Sequence, residues 1–195
     1  GTSAPLAVSE SLTITITPVN DAPTRLAASV SLAGIHQSVT NPIGSSVGVL
    51  VGGAFSDALD QMAGGSSANG LAGVVVVGNT ADAGTQGKWQ WNNGGVWTDI
   101  STSVSGTSGL VLDQGTGVRF LPVSTFDGTP GGLTLRLIDD SAGAVTPGAV
   151  VDLTASGGTT QYGNAGNAVS LVTSVNAVNN APAISSGTSV PLAEA

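Results

Sequence analysis

Apolar and polar residues alternate along Ser11-Leu12-Thr13-Ile14-Thr15-Ile16-Thr17, which puts Leu12, Ile14 and Ile16 on one face and the threonines on the other. That is the pattern of a half-buried strand. A looser version recurs at Ser170-Leu171-Val172-Thr173-Ser174-Val175. Between them, residues 29–32 and 47–51 read as short strands, and 71–77 is a β-branched run bounded by glycine, as a strand buried on both faces would be. Lys88-Trp89-Gln90-Trp91 alternates aromatic with polar, Asn92-Asn93-Gly94-Gly95 supplies residues that tolerate positive φ, and residues 96–100 return, which predicts a hairpin. Further strands are expected at 109–112, 118–121, 133–138, 150–153 and 169–175. About ten strands with no helical period of useful length predict an all-β fold, a two-sheet antiparallel sandwich.

Each copy of the alternating run closes on the same pentapeptide. Val19-Asn20-Asp21-Ala22-Pro23 returns as Val178-Asn179-Asn180-Ala181-Pro182, 159 residues later. Self-similarity at a period this long implies a string of whole domains and not a solenoid of small units. The chain therefore divides into 1–21, the last strand of a preceding repeat with its junction; 22–181, one full module; and 182–195, the start of the next repeat.

Composition narrows what such a module can do. Aromatics make up only 4% of the chain, so the core must be built from Val, Leu, Ile and Ala. The 29 glycines and 9 prolines punctuate short apolar runs and mark tight turns. A net charge of −8 argues against nucleic acid and against an anionic membrane surface. No apolar stretch approaches the roughly 20 residues that insert across a bilayer as a helix. With no cysteine, disulfides, thiol catalysis and thiolate metal sites are excluded.

The ordered series Gly87-Lys88-Trp89-Gln90-Trp91, Asn93-Gly94-Gly95-Val96-Trp97, Leu110-Val111-Leu112, Val118-Arg119-Phe120-Leu121-Pro122, Phe126-Asp127-Gly128-Thr129 and Leu133 to Asp139, ending in Val-Asn-Asn-Ala-Pro, resembles a repeat module of very large bacterial surface adhesins. These are the RTX-type, cadherin-like proteins exported by type I secretion. The resemblance implies an Ig/cadherin-like β-sandwich at the bacterial cell surface, serving as an extender between neighbouring repeats in cell attachment or biofilm formation.

Asn20-Asp21 before Ala22-Pro23 is the strongest candidate for chemistry. Ca²⁺ takes roughly six to eight oxygen ligands, and carboxylates, amide oxygens and backbone carbonyls at a stiff joint supply several from one stretch. The alternative is a turn-forming Asn/Asp pair before proline, and the resemblance tips the balance to calcium. It also implies that an early glutamate shares the ion between domains, which brings in Glu10 at the first junction and Glu194, with Asn179 and Asn180, at the second. Two neutral amides in place of an Asn/Asp pair predict a softer second joint. Asp57 and Asp60 follow an apolar stretch, and Asp139-Asp140 end a strand. Adjacent carboxylates repel unless a cation or proton sits between them; the alternative is that consecutive strand residues face opposite ways and stay solvated. Asp152 is a weaker addition from a neighbouring rim. Asp82, Asp113 and Asp127 stand at glycine-containing turns and read as turn formers.

An enzyme is not expected. A glycosidase needs two carboxyls facing across a sugar, and nothing in the sequence sets up such a pair. His36 is the lone histidine and has no acidic neighbour. Trp89 and Trp91 share one face of the hairpin and are expected in the core. Arg119 and Arg136 should pair with acids or lay their stems over the sheet. The expected function is thus a monomeric spacer stiffened by Ca²⁺ at its joints, with neighbouring repeats as partners. The alternative is a glycan- or peptide-binding module using the 61–70 loop or the tryptophan hairpin.

Overall fold

The computed structural model describes residues 1, 9–14, 18–61 and 67–179. Two sheets carry the fold. The larger has the order β12-β9-β6-β11-β13-β2, from β2 (Ser29–Ser31), β6 (Leu71–Asn79), β9 (Gly109–Asp113), β11 (Leu133–Asp139), β12 (Val150–Val151) and β13 (Val169–Val172). The smaller has the order β4-β10-β7-β8, from β4 (Ser45–Ser46), β7 (Gly87–Asn93), β8 (Val96–Asp99) and β10 (Gly117–Pro122). Two short pairs close the ends: β1 (Thr24–Arg25) with β5 (Phe55–Ser56), and β3 (Ile35–His36) with β14 (Val175–Asn176).

The inner faces meet in one apolar core. Alternation along β11 turns Leu133, Leu135 and Leu137 inward, and β6 contributes Val74 and Val76. The smaller sheet answers with Trp89, Trp91, Val118 and Phe120. Trp89 lies opposite Phe120 in the β7–β10 register, their rings edge-to-face with centroids 5.3 Å apart, a geometry that the ring quadrupoles favour. Both β7 tryptophans are buried, as their shared face predicts. The outer face of the larger sheet is not bare: Val75, Val111, Ile138 and Leu153 form a second cluster under Tyr162 and Val145. That explains why β6 reads as apolar on both faces.

The structure departs from the sequence reading in four places. Residues 47–51 form a short helix, α1 (Val47–Val51), because Val47 and Val51 four positions apart are buried while Val49 is exposed, a helical period that a run of valines conceals. The expected strand over 169–175 is broken into β13 and β14. The sheets are not wholly antiparallel, since β2 runs parallel to β13 and β3 parallel to β14. Finally, residues 9–14 carry no strand, and Leu12 and Ile14 are 86% and 76% exposed; no sheet among the described residues covers them. Residues 15–17 of that run lie outside the described residues.

Direction through the fold matters for function. β11 ends at Asp139, beside Leu71. β13 is antiparallel to β11 and so runs away from that pole. The chain enters where Asp21 meets Asp60, at the Asp139 pole, and β14 lies beyond β13 at the opposite one. The first and last described strands, β1 and β14, thus lie at opposite poles.

Candidate metal centre at the entry pole

Two features of the backbone bring carboxylates together at the entry pole. The register of β6 and β11 shifts between Ile138 and Asp139, an irregularity that re-aims the next side chain. β5 ends at Ser56, so Asp57 begins the following turn, and the Asp60 amide closes that turn on the Asp57 carbonyl at 3.2 Å. Asp57, Asp60 and Asp139 are 4%, 5% and 0% exposed, although charged carboxylates are seldom buried without partners.

Two of the three, Asp57 and Asp139, are incompletely hydrogen-bonded. Asp57 Oδ2 accepts the Asn69 amide at 2.7 Å. Asp139 Oδ1 accepts the Ser141 amide at 2.9 Å and the Ser141 hydroxyl. The second oxygens, Asp57 Oδ1 and Asp139 Oδ2, are sealed from solvent without a hydrogen-bond donor. Burial, opposed by the Asn69 amide and reinforced by the charges of Asp60 and Asp139, pushes the Asp57 carboxyl up to about 6. The charges of Asp60 and Asp139 thus both oppose ionisation of Asp57.

The junction residues lie against this group. The Asp21 amide donates to Asp60 Oδ1 at 2.6 Å, and Asn69 Nδ2 bridges Asn20 Oδ1 at 2.8 Å and Asp60 Oδ2 at 3.2 Å. Asn20 Nδ2 reaches the Thr160 carbonyl at 3.3 Å, and the Ala22 amide the Gly158 carbonyl at 2.7 Å. A cavity of about 230 Å³ lined by Asn20, Asp60, Asn69 and Ser141 opens beside the acids. Asn69 was not legible in advance; it sits in a Gly/Ser-rich loop, and only its position opposite Asn20 gives it a role.

The other candidates divide. Asp139 and Asp140 part company: Asp139 turns inward, while Asp140 is exposed and its Oδ1 accepts the Gly70 amide at 2.8 Å. The pair therefore does not face one point, as alternation along a strand dictates. Asp21 offers its amide, and its side chain is exposed. Glu10 is exposed in 9–14, and Asn179 is exposed beyond β14. Asn180 and Glu194 lie outside the described residues, as does 62–66 of the 61–70 loop. Asp152 closes a turn on Thr154, Asp82 one on Gly84 and Thr85, and Asp113 one on Thr116. Among the described residues no three His, Cys, Asp or Glu side chains already stand at metal-ligating separation.

The donor set fits a hard cation. It consists of oxygens alone: Asp57 Oδ1 and Asp139 Oδ2, buried without a hydrogen-bond donor, and Asn20 Oδ1 of the entering segment, bound to the same Asn69 that caps Asp57; oxygen donors suit a hard cation and not a soft one. Comparison with protein-family models, with curated proteins and with solved structures returned no match.

Proposed function

We propose that the chain is a non-enzymatic spacer module of an extracellular bacterial adhesin, an Ig/cadherin-like sandwich whose entry joint is stiffened by Ca²⁺. The observation that carries this reading is the meeting of Asn20 and Asp21 with the buried Asp57–Asp60–Asp139 group at the pole where the chain enters. The group is poor as an isolated feature, because like charges are held together without solvent. A divalent cation removes that repulsion and takes up the free oxygens Asp57 Oδ1 and Asp139 Oδ2.

Asn20 and Asp21 belong to the segment that the repeat pattern assigns to the joint, whereas Asp57, Asp60 and Asp139 belong to the sandwich. A cation held by both converts a swinging linker into a fixed one, and its binding free energy appears as folding stability. Weak extracellular calcium sites have dissociation constants of about 10⁻⁴ to 10⁻³ M. Such a site fills outside the cell and stays empty in the cytosol, so the array would stiffen only after export. The opposite-pole topology suits a rod, and the burial of Trp89 and Trp91 leaves no row of exposed tryptophans on the hairpin.

Small-angle scattering from two consecutive repeats tests the mechanism. In calcium the pair should give the maximum dimension of an extended rod, and a chelator should shorten the mean and broaden the distribution. Identical profiles in both conditions would remove calcium from the joint.

A further inference from the structure

The molecule holds a second uncompensated charge, of opposite sign and away from the entry pole. Arg119 projects from β10 on the outer face of the smaller sheet and is 6% exposed. Its Nε donates to Gln90 Oε1 at 2.9 Å, and its Nη1 to Asn41 Oδ1 at 2.6 Å and to the Pro42 carbonyl at 3.1 Å. All three acceptors are neutral. The N–H groups of Nη2 have no acceptor among the described residues. Asp99 is the nearest acid in this network, but Gln90 stands between them. Asp99 Oδ1 takes Gln90 Nε2 at 2.7 Å, and Asp99 Oδ2 pairs with Lys88 at 2.7 Å. Of the two arrangements expected for Arg119, an acid partner or a stem laid over the sheet, the acid partner is absent among the described residues.

One side of the guanidinium is covered, with Cζ 4.2 Å from the Trp97 ring centroid, and this stacking orients the fork without neutralising it. Arg119 also lines a cavity of about 530 Å³ whose other walls include Leu32, Ile35, His36, Val39 and Ile43. The volume falls within the roughly 300–1,000 Å³ of small-molecule sites, which typically combine apolar walls with a few fixed polar groups. Buried guanidinium groups are ordinarily paired with an anion.

We infer that this cavity is a binding site for a small organic monocarboxylate, its carboxylate on the free Nη2 edge of Arg119 and its apolar body against Leu32, Ile35, Val39 and Ile43. Three features select that class. With Nε and Nη1 already engaged, the N–H groups left on Nη2 suit an anionic oxygen acceptor such as a carboxylate. Arg119 is the one permanently charged cation on the cavity wall, which suits one negative charge. The apolar wall disfavours a fully hydroxylated sugar acid and favours a hydrocarbon tail.

The test is a heteronuclear NMR titration of the intact chain with hexanoate, with hexanol as the uncharged counterpart. Hexanoate should give saturable shifts at the Arg119 Nε–H and at amides within residues 32–44, and hexanol should give none at equal concentration. Arg119→Gln should weaken hexanoate binding at least about tenfold. Because Arg119 also ties Gln90 to Asn41, a second variant, Val39→Ser, trims only the partly exposed wall and should weaken binding severalfold. Near-UV circular dichroism, to which the buried Trp89 and Trp91 contribute, serves as the check on folding. Equal shifts with both probes, shifts mapping elsewhere, or undiminished binding by folded Val39→Ser would overturn the inference.

Discussion

The backbone amide of Asp21 donates to Oδ1 of Asp60 at 2.6 Å, and this bond ties the entering segment to the acids of the sandwich. Asn69 completes the tie by holding Asn20 Oδ1 and Asp60 Oδ2 with one amide nitrogen. Asn69→Ala removes the bonds to Asn20 Oδ1 and Asp60 Oδ2, a cost of about 1–2 kcal/mol. The Ala22 amide, bonded to the Gly158 carbonyl next to this site, should exchange with solvent about tenfold faster in the variant. Unchanged exchange at Ala22 would show that the joint is held elsewhere.

Asp57 makes calcium-free stability depend on pH. Its carboxyl is raised from 3.8 to about 6, burial first and the charges of Asp60 and Asp139 after the opposing Asn69 bond. The folded form therefore holds this proton more tightly than the unfolded chain. In chelator, stability from this group is greatest below pH 3.8, falls as pH rises through 3.8 to 6, and reaches its full penalty above 6. The penalty is at most about 3 kcal/mol. Asp57→Asn carries no charge at any pH and should flatten the slope in that window, so that in chelator at pH 7 the variant is at least as stable as the parent. Urea melts at pH 4.5 and 7 measure it; equal slopes in both proteins would rule out Asp57 as the source.

The core depends on a close backbone approach at Gly131. A Cβ there would overlap the Thr80 carbonyl, and the Gly131 carbonyl accepts the Trp89 indole N–H at 2.8 Å. Gly131→Ala should displace the loop and Trp89 together and cost several kcal/mol. Trp89→Phe keeps a ring against Phe120 but strands that carbonyl and shrinks the packing, for about 2 kcal/mol or more. Thermal unfolding would show the alanine variant as the more damaged if backbone approach dominates; the reverse order would place the weight on the indole.

Strands with strong alternation or long β-branched runs were legible in the sequence: β6, the β7–β8 hairpin, β9, β10 and β11 stand within two residues of their expected bounds. What misled was the valine-rich run at 47–51, since helix and strand both bury valine and only the spacing of Val47 and Val51 distinguishes them. The candidate site was legible by residue but not by grouping. Asp57, Asp60, Asn20 and Asp21 were named from local chemistry, yet their convergence on Asp139 depends on the β6–β11 register shift, which no short-range pattern encodes. The split of Asp139 from Asp140 follows from strand alternation, and the unpaired burial of Arg119 from tertiary packing alone.

Thermal unfolding of the chain in calcium and in chelator, for the parent, Asp57→Asn and Asp139→Asn, bears most directly on the proposed cation at the entry pole. With calcium about 100-fold above the dissociation constant, binding should add about 2.7 kcal/mol, raising the parent's Tm by about 5–10 °C. Both variants should lose most of that rise while melting in chelator at or above the parent. A parent Tm indifferent to calcium, or a calcium shift kept in full by both variants, would contradict a cation held between Asp57 and Asp139.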